Sequence, residues 1–159
     1  MSRTTRATQA LTKASIPFTV LVYDYDPNAE RIGLQAAEAI GAHPSLVLKT
    51  LMAEVDRKPV CIVVPSDREV SMKKLAAAFG GKAAVMMKPA TAEKFTGYVV
   101  GGISPFGQKK AVPTVFEATA MTEPLVYING GQRGLQVQVS PRDASRLTSA
   151  IVAAVVADR

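Results

Sequence analysis

Ala7, Ala10, Leu11 and Ala14 recur at helical spacing, with Arg3, Arg6 and Lys13 on the remaining sides. Thr4 to Ser15 therefore reads as an amphipathic helix, stopped by Pro17. The β-branched and aromatic run Phe18 to Tyr23 predicts a strand, and Asp24-Tyr25-Asp26-Pro27-Asn28 a loop after it. Leu34 to Ile40 predicts a short Ala-rich helix with Gly41 at its C′ position. Val47 to Glu54 and Pro59 to Val64 predict two strands joined through Asp56-Arg57-Lys58. Ser71 to Phe79 predicts a helix closed by Gly80-Gly81, Ala84 to Met87 a short strand, and Ala92 to Phe95 one helical turn. Val112 to Phe116, Leu125 to Ile128 and Leu135 to Val139 are further strands, and Asn129-Gly130-Gly131 signals a hairpin between the last two. Ser140-Pro141-Arg142-Asp143 has the form of N-cap, N1 and N3 of a final helix. Ala144, Leu147, Ile151 and Val155 carry that helix nearly to the end.

Several neighbouring strands have connections too short for a crossover, so their pairing must be largely antiparallel. The expectation is an α/β (α+β) chain: a mixed, largely antiparallel, barrel-like sheet, closed or nearly closed, surrounded by short helices. A chain of 159 residues fits one domain, 1–159, and no repeat, low-complexity tract or linker divides it. Without Trp and with 6% aromatics, its core must be aliphatic. Nineteen Lys and Arg against thirteen Asp and Glu give +6, which favours a polyanionic partner as well as a merely basic surface. The single cysteine excludes an intramolecular disulfide and points to a reducing compartment. The basic N-terminus leads into no long apolar run, against a signal peptide, and no segment is long and apolar enough to span a bilayer. A cytoplasmic location is the expectation.

The chemistry is constrained by what is scarce. His43 is the only histidine and sits before Pro44 in a connection; Cys61 lies inside an apolar strand, where it reads as a small core hydrophobe. One His and one Cys supply neither a zinc site nor a strong nucleophile–base pair, so no metal or cofactor is expected. The Walker A pattern is absent. Lys49 stands out. Strand alternation puts it with Val47, Leu51, Ala53 and Val55, on an apolar face. Such a lysine either snorkels to water or serves as a pocket cation for a phosphate, carboxylate or oxyanion. Tyr23 either lines a pocket or is a half-buried strand aromatic, and Asp143 fits a helix-capping carboxylate. Gly97-Tyr98-Val99-Val100-Gly101-Gly102-Ile103-Ser104-Pro105-Phe106-Gly107-Gln108-Lys109-Lys110 is the most distinctive stretch. Glycines there let backbone approach a ligand, Pro105 stiffens the turn, and main-chain N–H groups of such a loop can cradle an oxyanion.

That stretch resembles the Gly-x-x-x-Pro loop of the YbaK family of aminoacyl-tRNA editing enzymes, the motif falling on Gly101 to Pro105. Three others agree in order: Val22 to Pro27, Leu48-Lys49-Thr50-Leu51, and Gly130-Gly131-Gln132-Arg133-Gly134-Leu135. The resemblance covers nearly the whole chain. It implies a barrel-like mixed sheet with surrounding helices and a kinship to the editing domain of bacterial prolyl-tRNA synthetases. It implies an enzyme that clears cysteine from tRNA(Pro), and also from tRNA(Cys), acting on the acceptor end beside prolyl-tRNA synthetase, with no membrane or DNA role. Carried over by residue, it gives Lys49 and Gly101 catalytic roles. Tyr23, Gly102, Ile103, Ser104, Pro105 and Asp143 become substrate-binding, Asp143 by the weakest match. The family route is substrate-assisted: the cysteinyl thiolate attacks its own ester and leaves as a thiolactone, so the protein positions the ester and stabilises the oxyanion. Two other readings stand beside it: a deacylase for alanine or another small amino acid using water, and a non-catalytic module that binds tRNA or synthetase.

Overall fold

The computed structural model describes residues 4–30 and 32–158; Arg3, placed on the first helix by its sequence, lies outside them. The chain begins with helix α1 (Arg6–Lys13), started by Thr5, whose hydroxyl accepts from Thr8 N while the Thr8 hydroxyl accepts from Thr5 N. Strand β1 (Thr19–Val22) and helix α2 (Ile32–Ile40) follow, then a 3₁₀ turn (Pro44–Leu46), β2 (Val47–Val55) and β3 (Lys58–Pro65). Ser71 caps α3 (Met72–Ala78), and β4 (Ala84–Met86) leads to α4 (Pro89–Thr96), which Gly97 ends in the left-handed conformation. After a long loop come β5 (Thr114–Glu117), a 3₁₀ turn (Ala118–Thr122), β6 (Val126–Asn129), β7 (Leu135–Val139), α5 (Pro141–Leu147) and β8 (Ile151–Ala153).

The strands form one mixed sheet in the order β1-β7-β6-β2-β3-β5-β8, with β4 also on β2. β1–β7, β6–β7, β2–β3 and β2–β4 are antiparallel; β2–β6, β3–β5 and β5–β8 are parallel. The expected mixed sheet ringed by short helices is present, with β1 and β8 as its outer strands. Alternation along β2 splits the core. Leu48 and Met52 join Cys61, Val63, Ile103, Phe106 and Phe116 on one side. Ala53 and Val55 join Val60, Ile62, Val64, Leu75 and Val155 on the other.

β2 pairs with β3 along its whole length, but its second edge is used only at the ends. Val47 and Leu48 pair with β6, and Ala53 to Val55 pair with β4. Between them, at Lys49 to Met52, no strand occupies that edge among the described residues. The gap is where the sheet opens.

Two expectations are corrected. The segment at Ala92 to Phe95 is a full helix, because Pro89 starts it and Gly97, at φ +81°, stops it. The final helix does not continue past Leu147. Thr148 turns its hydroxyl back to the Ala144 carbonyl, Ser149 takes φ +53°, and the β-branched Ile151 and Val152 pair with β5. The helical spacing of Ile151 and Val155 is coincidental.

Glu117 locks this C-terminal strand. It is fully buried, and its carboxylate accepts from the N–H groups of Val155 (2.8 Å), Val156 (3.3 Å) and Thr119 (3.0 Å). Burial pushes its pKa up, but these donors outweigh burial and hold it below the ordinary 4.5. A carboxyl lowered in the folded state contributes stability above its unfolded value and loses it as pH falls through the folded value. Glu117→Gln is expected to cost about 1–3 kcal/mol near neutral pH. The gap between variant and parent should shrink as pH drops below about 4, which urea melts at several pH values would read.

Candidate active site

The loop after α4 closes on itself. Lys109 N and Lys110 N donate to the Thr96 and Phe95 carbonyls at 2.9 and 3.2 Å, tying its two ends together. Tyr98 is buried and donates from its hydroxyl to the Phe106 carbonyl; burial raises that phenol to about 12. Phe106 is 1% exposed beneath it, a burial that contributes about 1.5–3 kcal/mol. The loop is thus a compact Ω-type element packed on its own side chains.

Its tip is shaped by Gly101, at φ +91°. A Cβ built there stands 2.8 Å from the Tyr25 hydroxyl oxygen and 3.3 Å from Arg133 Nε. Gly102 lies flat against the 132–133 backbone, with a would-be Cβ 2.8 Å from Arg133 N. Arg133 Nε donates to the Val100 carbonyl at 2.9 Å, and its guanidinium stacks 5.2 Å from the Tyr25 ring centre. Asn129, 7% exposed, donates from Nδ2 to the Gly101 carbonyl at 3.2 Å. The Gly102 N–H is taken up by the Val99 carbonyl at 2.8 Å. The N–H groups of Gly101 and Ile103 meet no acceptor among the described residues.

Loop and sheet gap meet in a cavity of about 710 Å³. Lys49, Thr50, Leu51 and Met52 form one wall, Gly101 and Ile103 another, with Tyr23, Gln136 and Asn129 between. Pockets of this size hold a ligand as large as an aminoacyl-nucleoside. Lys49 is half-buried and makes no ion pair among the described residues. Burial raises the pKa of Tyr23, so it keeps its proton at neutral pH. The buried Thr50 Oγ1 and Gln136 Oε1 are without a protein partner, and both residues line the same cavity.

Of the residues singled out by sequence, Lys49, Gly101, Tyr23 and Ile103 line this cavity together. Gly102, Ser104 and Pro105 do not line it; they are buried behind it. The Ser104 hydroxyl accepts from Phe106 N at 3.2 Å, so it shapes the loop. Asp143 stands elsewhere, at N3 of α5, where its N–H meets Ser140 Oγ and its carboxylate pairs with Arg146. Capping accounts for it. The sequence reading missed Gln136, Thr50 and Asn129. Gln136 carries a legible signal, since the β7 alternation places it opposite Val137, whose side chain enters the core.

Among the described residues, no histidine and no cysteine lines the cavity, and no cluster of His, Cys, Asp or Glu is arranged to hold a metal. His43 is exposed and hydrogen-bonds Ser45 in its own turn. Burial pushes the Cys61 thiol up to about 12, despite a contact from Gln108 Nε2 at 3.6 Å, so it carries no thiolate at neutral pH. His43→Ala and Cys61→Ser are each expected to leave single-turnover rates within about threefold of the parent. A variant that folds normally yet loses turnover would establish a protein nucleophile or base.

The model of the aminoacyl-tRNA editing domain family matches residues 26–147. A protein of Enterococcus faecalis named "Putative Cys-tRNA(Pro)/Cys-tRNA(Cys) deacylase EbsC" is 30% identical over 147 residues, 91% of this chain and 88% of its own. A proline–tRNA ligase of Maridesulfovibrio salexigens is 29% identical over 100 residues, 63% of this chain but 17% of the ligase. Among solved structures, a "putative trans-editing enzyme for prolyl tRNA synthetase" superposes with a TM-score of 0.81 at 22% identity, covering 96% of both chains. A hypothetical protein superposes with a TM-score of 0.85 at 21% identity, over 96% of this chain and 100% of its own. At those identities the two structures bear on the fold alone. No helix among the described residues is long and apolar enough to cross a membrane.

Proposed function

Since the chain belongs to the aminoacyl-tRNA editing domain family, we propose that it deacylates mischarged tRNA in trans, removing cysteine from tRNA(Pro). The observation that carries this reading is the juxtaposition, across one cavity, of the Lys49 cation and the main chain of Gly101, with no histidine or cysteine beside them among the described residues. A site built this way holds and polarises an ester, and in this reading the substrate brings the attacking group. The cysteinyl thiolate supplies it. Its sulfur attacks the ester carbonyl carbon of the same residue, giving a tetrahedral oxyanion. Collapse breaks the bond to the ribose oxygen, which takes up the proton the thiol gave to water, and a four-membered thiolactone leaves.

The protein contributes positioning and charge. The Gly101 N–H serves the oxyanion, and the Lys49 ammonium holds the ester end or the terminal phosphate. Tyr23, retaining its proton, donates to the sugar or the ester. Leu51 and Met52 supply an apolar bed for a small side chain. The basic surface, +6 overall, receives the acceptor end, and prolyl-tRNA synthetase is the proposed partner, in the cytoplasm.

Parallel deacylation of Cys-tRNA(Pro), Cys-tRNA(Cys) and Ala-tRNA(Pro) tests the reading. Turnover of both cysteinyl substrates with thiolactone formation, and none of the alanyl ester, supports it. Equal clearance of alanine replaces the thiol route with attack by water. Binding of tRNA without clearance of any ester makes the protein a docking module.

A further inference from the structure

We infer that Asn129 and Arg133 are positioning residues, which together aim the Gly101 N–H into the cavity as its oxyanion donor; this rests on the deacylase reading above. In a trans peptide the carbonyl and the N–H point in opposite directions. The Val100 carbonyl and the Gly101 N–H share one such peptide, and no cis bond occurs among the described residues. Arg133 Nε holds that carbonyl at 2.9 Å, on the side where its guanidinium stacks on Tyr25. The Gly101 N–H is thereby turned away from Arg133. The next peptide is fixed as well: Asn129 Nδ2 takes the Gly101 carbonyl at 3.2 Å, and the Gly102 N–H is spent on Val99. Of these two peptides, only the Gly101 N–H remains to be offered to a ligand, from a residue that lines the cavity.

Asn129 is itself firmly held. Its Oδ1 accepts from Gly131 N at 2.6 Å and Gln132 N at 3.2 Å, and its Nδ2 also reaches the Gln132 carbonyl at 3.3 Å. The amide therefore couples the β6–β7 turn to the tip of the Ω-type loop. A second acceptor in place of its NH₂ would face two carbonyls and push the Gly101 peptide out of line.

The test is Asn129→Asp, which keeps the acceptor for Gly131 and Gln132 and removes the donor. Its single-turnover deacylation of Cys-tRNA(Pro) should fall by on the order of 10- to 100-fold at pH 7.5, since small misplacements at a reacting centre cost that much. Affinity for tRNA(Pro) should stay within about threefold, because phosphate contacts dominate it. As pH is lowered, protonation of the new carboxyl restores a donor, so the ratio of variant to parent rate should rise. A parent-like rate at equal folded fraction overturns the inference, and so does a loss independent of pH. If the variant fails to fold, Arg133→Gln on the exposed side decides. A slower bound-state rate with an unchanged salt slope supports positioning. An unchanged rate with weaker, less salt-dependent binding makes Arg133 a phosphate contact and overturns it. An active parent with unaffected variants rejects this inference alone, whereas an inactive parent rejects the deacylase reading beneath it.

Discussion

Replacing Lys49 with methionine is expected to lower single-turnover deacylation of Cys-tRNA(Pro) by on the order of 10²- to 10³-fold, the cost typical of losing one preorganised charge or donor at a developing oxyanion. Methionine keeps an unbranched stem of similar reach, so the apolar contacts along β2 survive. The thermal midpoint should move little, because Lys49 makes no ion pair among the described residues and its removal strands no buried partner. Lys49→Arg should not rescue the rate, since a planar guanidinium fork places its charge differently from a compact ammonium. A Lys49→Met protein that melts like the parent and turns over within a few-fold of it would remove the lysine from the mechanism.

The second large effect belongs to Gly101→Ala. At φ +91° an L side chain is strained, and the added methyl would press on the Tyr25 hydroxyl at 2.8 Å and Arg133 Nε at 3.3 Å. The simplest relief swings the 100–101 peptide, which carries the N–H assigned to the oxyanion. The bound-state rate should drop by about 10²-fold or more. Affinity for tRNA should hold, since the phosphate contacts are spread over a surface of net charge +6. A salt titration of binding beside single-turnover kinetics separates the two. A fall in rate and affinity by one factor would make the loop a docking surface and favour the module reading.

How much of this was legible in the sequence follows from how local each cause is. Ser140 announces its helix because a cap is decided within four residues. The alternation of β2 correctly separated Lys49 from Leu48 and Met52, whose side chains enter a different core. Asn129 was legible only as a turn residue, because its second partner is 28 residues away. The gap beside Lys49 to Met52 was not legible at all. It depends on where β6 and β4 stop along β2, and no feature of β2 itself reports that. Asp143 misled because an N3 carboxylate and a pocket carboxylate look alike in one dimension; Arg146, three residues on, is the local partner that settles it. The last helix was overextended for a related reason: Ile151 and Val155 repeat at helical spacing, but β5 offers Ile151 a strand to pair with.

The Ω-type loop has one more consequence, in time rather than in space. Loops that act as lids spend microseconds to milliseconds opening and closing, and such motions often set the turnover of the enzymes that use them. Here the two ends are tied at Thr96 and Phe95, and Tyr98 and Phe106 fill the interior before any substrate arrives. The entropy of ordering the wall has already been spent in folding, so it is not charged again at each encounter. Turnover should then keep pace with the chemical step or the departure of tRNA, with no gating interval between them.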